Sequence, residues 1–331
     1  MSDKIVLWRA MYDPAGHDLL ADAGANVVVV DSADTQALAA ELGDAKALWV
    51  RTPERVTEDI LDAAPDLVVV STSGFGTDNI AIDAATARGI LVVNHLGFGR
   101  TPVAEHTIAL MLAAAKQLVW SDRAYRDGSA WSERSGLQVT ELAGKTVGIV
   151  GLGYIGAELA RKLALGFDCR VLAYDPYVDP RLAFAARVEQ VADLHTMLGR
   201  CDFLCVAAEL TDETRKMIDA TALAALPQGA IVVNAARGDI VDLDALDAAL
   251  ESGHLRAAGL DVVFPEPLPD GHPLLANPRV TFSPHTAGVT TEAASALTRS
   301  AAEQILTALE GRAPRYPVNP ATWDGPLSRR P

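Results

Sequence analysis

The chain has 331 residues, 50% hydrophobic and 21% charged, which is enough for two packed domains and excludes broad disorder. Its formal net charge of -15 argues against a nucleic-acid partner, because an acidic surface repels phosphates. The amino terminus lacks a basic stretch followed by a long apolar segment, and no apolar run is long enough to span a bilayer. We therefore expect a soluble cytoplasmic protein without membrane contacts.

Short apolar runs alternate with longer segments of helical spacing along the chain. Most of these runs are apolar throughout, which is typical of parallel strands covered on both faces. The alternation predicts an α/β protein with two doubly wound parallel sheets. The predicted strands are residues 4–8, 27–30, 47–50, 67–71 and 90–93, followed by residues 146–150, 170–173, 203–207, 231–234, 258–263 and 280–282.

A long helix is expected between the two series of strands. Thr101 suits its N-cap, Pro102 suits the first helical position, and helical spacing continues to about residue 117. Another long helix is predicted over residues 291–309. These boundaries predict one domain of residues 100–288, inserted into a second domain of residues 1–99 plus 289–331.

Three cysteines, Cys169, Cys201 and Cys205, are too few for a disulfide framework in a chain of this length. Cys201 and Cys205 could be read as a pair of metal ligands. Cys205 lies in the apolar run 203–207, however, where a free cysteine behaves as a small buried hydrophobic residue. We favour that structural interpretation and expect no metal site.

A glycine-rich turn follows the predicted strand 146–150 and precedes a helical segment. Its sequence, Gly151-Leu-Gly153-Tyr-Ile-Gly156, has the spacing of dinucleotide-binding turns. The first glycine permits a tight turn, the second lets the backbone approach a pyrophosphate, and the third lets the helix pack on its strand. The amide groups at the helix start would bind that anion. Tyr154 and Ile155, which begin the helix, are included among the candidate cofactor-binding residues.

Asp175 follows the central glycine by about 20 residues, the spacing of the acidic residue that binds the adenosine ribose. A carboxylate there would repel the additional phosphate of NADP. Residues 176–178 supply no compensating cation. The sequence therefore predicts NAD as the cofactor.

Three ionisable residues come directly after three predicted strands of the same domain: Arg237, Glu266 and His285. Loops at the carboxyl ends of parallel strands form the ligand site, so these side chains should converge. A neutral histidine can take the hydroxyl proton during alcohol oxidation, and an adjacent carboxylate orients its ring. An arginine can hold a substrate carboxylate in two hydrogen bonds. Individually each residue also has a structural interpretation; their combination indicates hydride transfer on a 2-hydroxy acid.

The chain resembles the D-isomer-specific 2-hydroxyacid dehydrogenase family, which includes phosphoglycerate dehydrogenases and hydroxypyruvate/glyoxylate reductases. The matching stretches are residues 233–242, 259–267 and 283–288, and the resemblance extends from about residue 40 to 310. It implies a Rossmann-type NAD domain over residues 100–288, inserted in a flavodoxin-like substrate domain. It also implies that the protein is an oxidoreductase and forms a homodimer.

The resemblance assigns roles to individual residues. Arg237 would bind and orient the substrate, while Glu266 and His285 would form the acid/base pair. Asp261 would hold the nicotinamide carboxamide. Further residues expected along the cofactor are Ala208, Thr214, Ala235, Ala236, His285 and Gly288.

Substrate contacts are expected from the loop of Ser73, Gly74, Phe75 and Gly76, whose amide groups match those that bind the substrate carboxylate in the family. Arg51 matches a substrate-side arginine of phosphoglycerate dehydrogenases, and Arg100 lies just before the long helix. Either arginine could contact a polar or anionic distal end of the substrate, although both could also be ordinary surface residues. The sequence does not identify the substrate.

Two interpretations remain open. The remaining histidines lack the partners that surround His285, and we interpret them as structural: His17, His95, His106, His195, His254 and His272. A nonenzymatic NAD-sensing protein of the same fold would retain much of the same residue set. The acidic net charge favours the enzyme over that alternative.

Overall fold

A computed structural model of the chain describes residues 2–325 and 328–330. The strands in this part of the chain are β1 (Lys4–Trp8), β2 (Asn26–Val30), β3 (Ala45–Val50), β4 (Val69–Ser71), β5 (Leu91–Val93), β6 (Thr146–Val150), β7 (Arg170–Tyr174), β8 (Glu189–Gln190), β9 (Phe203–Val206), β10 (Ala230–Asn234), β11 (Leu255–Leu260) and β12 (Val280–Phe282). The α-helices are α1 (Ala15–Asp22), α2 (Thr35–Leu42), α3 (Glu58–Asp62), α4 (Ile82–Ala87), α5 (Arg100–Lys116), α6 (Leu118–Asp127), α7 (Ala130–Glu133), α8 (Tyr154–Gly166), α9 (Pro180–Ala185), α10 (Leu194–Leu198), α11 (Ala220–Ala225), α12 (Leu243–Glu251), α13 (Pro273–Ala276) and α14 (Thr291–Leu309).

The first of two compact units contains residues 1–99 and 289–331. Its five strands are parallel, in the order β2-β1-β3-β4-β5, which is the flavodoxin-like arrangement. Apolar residues of α14 and β1 pack in one core, and α2 and β3 contribute to another. The side chain of Thr290 caps α14 by accepting a hydrogen bond from the Ala293 amide at 3.2 Å.

The second unit contains residues 100–288 and a seven-stranded parallel sheet. The strand order is β12-β11-β10-β9-β6-β7-β8, so the chain reverses direction across the sheet between β6 and β9. This is the Rossmann order with one further strand at the β12 edge. The two sheets confirm the predicted fold class, a Rossmann-type unit inserted in a flavodoxin-like one.

Several predicted boundaries differ from the structure. Helix α5 begins at Arg100, so Thr101 and Pro102 lie in its first turn instead of at the N-cap and the first position. Strand β11 ends at Leu260, before the predicted end at residue 263. The Asp261 amide still donates to the Asn234 carbonyl of β10 at 2.9 Å, while its side chain accepts hydrogen bonds from the turn after β12. The two-residue strand β8 is absent from the prediction, since both of its residues are exposed and polar.

The buried cysteines agree with one sequence expectation. Cys205 is buried within β9, which confirms the structural interpretation of the run that contains it. Cys169 and Cys201 are also buried, and all three thiols are free. Among residues 2–325 and 328–330, no helix combines the length and the apolar character needed to cross a membrane.

Candidate active site

The glycine-rich turn joins β6 to α8, and each glycine has its own geometric reason. Gly151 has φ +91°, and a Cβ there would lie 2.6 Å from the Ala208 backbone. A Cβ on Gly156 would overlap the Gly151 carbonyl oxygen, so only glycine lets α8 approach the turn. Around Gly153, by contrast, a Cβ would meet open space. The amino end of α8 is therefore accessible to an anion over Gly153, which fits a pyrophosphate.

Asp175 follows β7 at the same edge of the sheet as the glycine-rich turn. Its carboxylate accepts hydrogen bonds from the Leu152 amide at 2.8 Å and the Tyr177 amide at 2.9 Å. Each oxygen thus keeps one acceptor position, because an ionised carboxylate offers about four. A ribose diol could use both positions. The nearby Tyr177 hydroxyl donates to Glu213 at 2.5 Å, which adds a second acidic group to this region.

The loops after β9 and β10 carry four other candidate cofactor residues. The Ala208 backbone lies against Gly151, beneath the tight turn. Thr214 donates to the Glu209 carbonyl at 2.6 Å and so closes the loop after β9. Ala235 and Ala236 are half-buried, and the Ala236 amide donates to the Asn234 side chain at 3.0 Å. These contacts fix the backbone on which a dinucleotide would lie.

Glu266 and His285 form a hydrogen-bonded pair, with 2.8 Å between Glu266 Oε2 and His285 Nδ1. Because a carboxylate can only accept, the hydrogen on this nitrogen points at Glu266. The neutral ring therefore carries its lone pair on Nε2, the nitrogen that faces away from Glu266. Both side chains are partly exposed, at 29% for His285 and 23% for Glu266. The pair is thus arranged to exchange a proton through Nε2.

The turn that carries His285 is held by a buried carboxylate. Asp261, with its side chain 1% exposed, accepts hydrogen bonds from the Ser283 hydroxyl at 2.6 Å and the Thr286 and Ala287 amides at 2.9 and 3.0 Å. The Asp261 carbonyl accepts from the His285 amide at 2.8 Å. These bonds stabilise the left-handed backbone of His285, at φ 53°. Asp261 therefore positions the histidine that is hydrogen-bonded to Glu266.

His106 of α5 extends this network, which the sequence alone does not indicate. Its Nε2 lies 2.7 Å from the Ser283 hydroxyl and 3.5 Å from Asp261 Oδ1. Since the single Ser283 hydrogen goes to Asp261, His106 Nε2 must be the donor to Ser283. In the sequence, Ser283 is a hydroxyl residue beside Pro-His after a predicted strand. Nothing near it in the chain indicates a partner 177 residues away.

Arg237 follows β10, the strand next to the one that leads to Glu266. Its Nη1 donates to the Ala236 carbonyl at 2.8 Å, and its own carbonyl accepts from Asn234 Nδ2 at 2.8 Å. The next residue, Gly238, is tightly packed, because a Cβ there would overlap the Val263 carbonyl group. The Arg237 loop therefore lies directly against the loop after β11, at the carboxyl edge that also carries His285.

In the first unit, the loop after β4 presents amide groups without internal acceptors. Thr72 Oγ1 donates to the Gly74 carbonyl at 2.7 Å and lies 3.3 Å from the Gly74 amide. Within the described residues, the amides of Phe75 and Gly76 have no hydrogen-bond acceptor. The Ser73 hydroxyl, unlike these amides, is engaged with the Val50 carbonyl and the Trp49 indole, both at 3.0 Å. The loop thus offers at least the Phe75 and Gly76 amides to an anion.

Arg51 and Arg100 have different surroundings. Arg51 follows β3, its guanidinium carbon lies 4.6 Å from the Tyr12 ring centroid, and its buried Nε has no hydrogen-bond partner among the described residues. Arg100 instead binds Glu158 on α8, with Nη2 3.1 Å from Oε2. The Arg161 and Arg100 guanidinium groups lower the pKa of Glu158 to about 2. Arg100 therefore has a partner within its own unit, whereas the Nε–H group of Arg51 remains available as a donor.

His95 is buried in the first unit, between the loop after β5 and α14. Its Nδ1 lies 3.0 Å from Gln304 Nε2, and Gln304 Oε1 accepts the Tyr316 amide at 2.8 Å. The Gln304 nitrogen is therefore the donor, and His95 Nδ1 must accept. His95 Nε2 carries the hydrogen and donates to the Thr72 carbonyl at 3.1 Å. A protonated ring would turn an N–H toward the Gln304 amino group, so this contact favours the neutral form.

The neutral state of His95 predicts a loss of stability in acid. Burial lowers the pKa of His95 to about 4 from its usual value of 6.5. Between those values the unfolded chain binds a proton that the native state does not, so stability falls with decreasing pH by about 3 kcal/mol in total. We expect the urea midpoint of unfolding to fall less between pH 7 and pH 4.5 in His95→Gln than in the unmodified protein. An identical pH dependence in the two proteins would contradict this expectation.

Comparisons with known proteins agree with the fold and with these motifs. Residues 108–287 match the family model described as D-isomer specific 2-hydroxyacid dehydrogenase, NAD binding domain. The chain is 44% identical over 282 residues to the D-3-phosphoglycerate dehydrogenase of Mycobacterium tuberculosis, covering 85% of this chain and 52% of that protein. It spans about half the length of the curated relatives it matches.

Solved structures extend the similarity to both units. A protein of Thermus thermophilus is 33% identical, with a TM-score of 0.87 and coverage of 95% of this chain and 99% of that one. An NADPH-dependent glyoxylate/hydroxypyruvate reductase of Sinorhizobium meliloti, solved with NADP and malonate, is 28% identical with a TM-score of 0.85. That match covers 96% of this chain and 97% of the reductase.

Proposed function

Because this chain belongs to the D-isomer specific 2-hydroxyacid dehydrogenase family, we propose that it interconverts a D-2-hydroxy acid and its 2-keto acid with NAD. The observation that carries the proposal is the contact of 2.8 Å between His285 and Glu266. This pair leaves His285 Nε2 able to take or give one proton, as the oxidation of a secondary alcohol requires.

The proposed roles follow from the chemistry of each group. A nicotinamide cofactor, when bound, would supply or accept the hydride at C2 of the substrate. In the direction of reduction, protonated His285 gives its Nε2 proton to the carbonyl oxygen, and the C=O bond becomes an alcohol. Glu266 stabilises the protonated ring before this transfer. Arg237 binds the substrate carboxylate and polarises the carbonyl, because a guanidinium offers paired donors.

The loop after β4 is the second proposed contact for the substrate carboxylate. Phe75 and Gly76 provide the amide donors, and no protein acceptor competes for them within the described residues. Main-chain donors that are already held in fixed positions bind an anion without a further loss of conformational entropy. Ser73 and Gly74 complete this loop. The Ser73 hydroxyl supports it through the Val50 carbonyl.

Cofactor binding is proposed for the turn of Gly151–Gly156 and for the surrounding loops. The open space at Gly153 and the free acceptor positions of Asp175 support it. Asp261 Oδ2 accepts one hydrogen bond and so has one acceptor position left for a carboxamide N–H. The same proposal includes the remaining candidates along the cofactor, namely Tyr154, Ile155, Ala208, Thr214, Ala235, Ala236 and Gly288.

We expect NADH to be preferred over NADPH because Asp175 would repel the additional phosphate. The Sinorhizobium reductase is named as NADPH-dependent, so this preference must come from local residues. Asp175→Ala should weaken NADH binding and bring the two dissociation constants closer together. Fluorescence titration of both cofactors, with the unmodified protein and the variant, measures this effect. Equal or tighter NADPH binding by the unmodified protein would rule the preference out.

We further propose that the substrate has an anionic distal group, as a phosphorylated hydroxy acid or a hydroxy-dicarboxylate would. Support comes from Arg51, whose buried Nε has donor capacity and whose guanidinium lies over Tyr12. Mycobacterial relatives at 44% identity are named D-3-phosphoglycerate dehydrogenases. Since Arg100 is bound to Glu158, Arg51 carries this part of the proposal alone.

Replacing Arg51 with alanine should lower kcat/KM for a distally anionic substrate about ten- to a hundredfold, because a hydrogen bond to a charged group contributes about 1.5–3 kcal/mol. Glyoxylate, which has no distal group, should be little affected. Arg55→Ala is the matched control, since Arg55 lies in the same loop and is exposed. If the unmodified enzyme prefers glyoxylate or pyruvate to every distally charged acid, Arg51 is not a specificity residue.

A panel of 2-keto acids tested for NADH oxidation decides between an enzyme and a nonenzymatic NAD-binding protein. We expect turnover of at least one acid at a rate that depends on His285. NADH binding without turnover of any acid would favour the binding protein. The family match and the named relatives favour the enzyme.

We also propose that the protein is a cytoplasmic homodimer. Helices α6 and α7 carry large apolar side chains that stay exposed in the single chain, among them Leu118, Tyr125 and Trp131 at 54%, 67% and 67%. Such a patch is typical of an interface between subunits. The cytoplasmic location is supported by the three free, buried thiols, because the cytosol keeps thiols reduced. Sedimentation velocity at micromolar concentration tests the dimer, and a single monomeric species would contradict it.

A further inference from the structure

Two residues directly after β5, Asn94 and His95, bind three carbonyl groups of the loop that follows β4. The His95 ring donates to the Thr72 carbonyl at 3.1 Å, and its backbone amide donates to the Gly74 carbonyl at 3.0 Å. Asn94 Nδ2 donates to the Phe75 carbonyl at 2.9 Å. We call Asn94 and His95 the carbonyl clamp.

The carbonyl clamp determines where the amide donors of the loop point. In a trans peptide the carbonyl and the N–H of the same peptide plane point in opposite directions. The Gly74 carbonyl shares its plane with the Phe75 amide, and the Phe75 carbonyl shares its plane with the Gly76 amide. Because the clamp holds both carbonyls toward the end of β5, both amides face away from it. Neither amide has a protein acceptor among the described residues.

Gln304 of α14 anchors the clamp from the other side. Its Nε2 donates to the Asn94 carbonyl and to His95 Nδ1, both at 3.0 Å, while its Oε1 accepts the Tyr316 amide at 2.8 Å. Ser71 adds a contact of 3.0 Å between its hydroxyl and His95 Nε2. His95 is 1% exposed and both of its ring nitrogens are engaged. Its rotamer is therefore fixed by partners on three different elements.

We propose that His95 is a positioning residue for substrate binding, which holds the loop after β4 so that the Phe75 and Gly76 amides point at the substrate carboxylate. This inference rests on the proposed function, because it needs a substrate with a carboxylate. His95 itself does not touch the substrate; it acts through the Thr72 and Gly74 carbonyls. Its effect should therefore appear in the binding of the keto acid and not in the binding of NADH.

The test compares His95→Leu, His95→Gln and Asn94→Ala with the unmodified protein. His95→Leu should raise KM for the keto acid about tenfold or more, because small displacements of positioned groups are costly. The NADH dissociation constant should stay unchanged, and kcat should change less than KM. Glutamine can both donate and accept, so His95→Gln should recover part of the loss. His17→Leu, a half-exposed histidine of the same unit, is the control.

Each outcome decides the proposal. A folded His95→Leu protein with unchanged KM overturns the positioning role, and so does a His95→Gln variant as impaired as leucine. If His95→Leu does not fold, Asn94→Ala decides alone, since it frees only the Phe75 carbonyl: a raised KM supports the clamp and an unchanged KM overturns it. If the unmodified protein reduces no keto acid, the proposed function fails and this inference fails with it.

Discussion

Replacing His285 with alanine is expected to lower kcat for keto-acid reduction by about 10²–10⁴-fold, the usual contribution of a general acid. The imidazole ring is the proposed proton donor, hydrogen-bonded to the Glu266 carboxylate, and alanine removes it. Steady-state rates with NADH and the best keto acid of the panel measure the loss. The NADH dissociation constant should be nearly unchanged.

His195→Ala is the matched control for this variant, because His195 is a histidine of the same unit on the exposed side of α10. It should keep the full rate. A His285→Ala protein with near-normal turnover would refute the assignment of the acid. A large loss of NADH affinity would instead indicate that the turn held by Asp261 has collapsed.

Replacing Arg237 with glutamine is expected to lower kcat/KM by about 10²–10³-fold, because it removes the charged donor that we propose for the developing negative charge on the carbonyl oxygen. Lysine should not restore the rate, since an ammonium group cannot form the paired hydrogen bonds of a guanidinium. Thermal unfolding should change little, as Arg237 is only half-buried.

Arg170→Gln provides the comparison for Arg237. Arg170 begins β7 and so lies at the amino ends of the strands, whereas Arg237 follows the carboxyl end of β10 in the same sheet. The Arg170 guanidinium is exposed and binds Glu189 at the surface. The kcat/KM values of the two variants should differ at least about 10²-fold, which is the effect expected for the loss of Arg237. Equal rates in both variants would mean that Arg237 has no role in the reaction.

The architecture could be predicted because it follows from patterns that lie close together in the chain. Continuous apolar runs indicate the parallel sheets, and the glycine spacing at residues 151–156 identifies the turn after β6. Strand β8 was not predicted because its two residues are polar and exposed, so they form no apolar run. The early end of β11 was not predicted because Val262 and Val263 continue the apolar run beyond Leu260, where the strand ends.

The site was predictable only in part, for a related reason. Arg237, Glu266 and His285 each follow a strand, so the position of each is a local property. The contacts of His95 and His106 depend on Gln304 and Ser283, which are 209 and 177 residues away in the chain. The sequence alone favours a structural interpretation for both histidines, and the structure gives each a specific partner beside a candidate functional loop.

The discontinuous first unit has a consequence for synthesis on the ribosome. Residues 1–99 emerge first, yet α14 and the segment that binds Val92 through Asn319 emerge only after the whole second unit. The second unit is continuous and can close its sheet as soon as residue 288 has left the exit tunnel. Domains generally fold as units during translation, so the inserted unit should mature before the one that precedes it in the chain. Until then, β5 and the carbonyl clamp lack Gln304, and the strands of residues 1–99 expose the apolar surface that α14 later covers. Exposed surface of this kind makes a folding intermediate prone to aggregation.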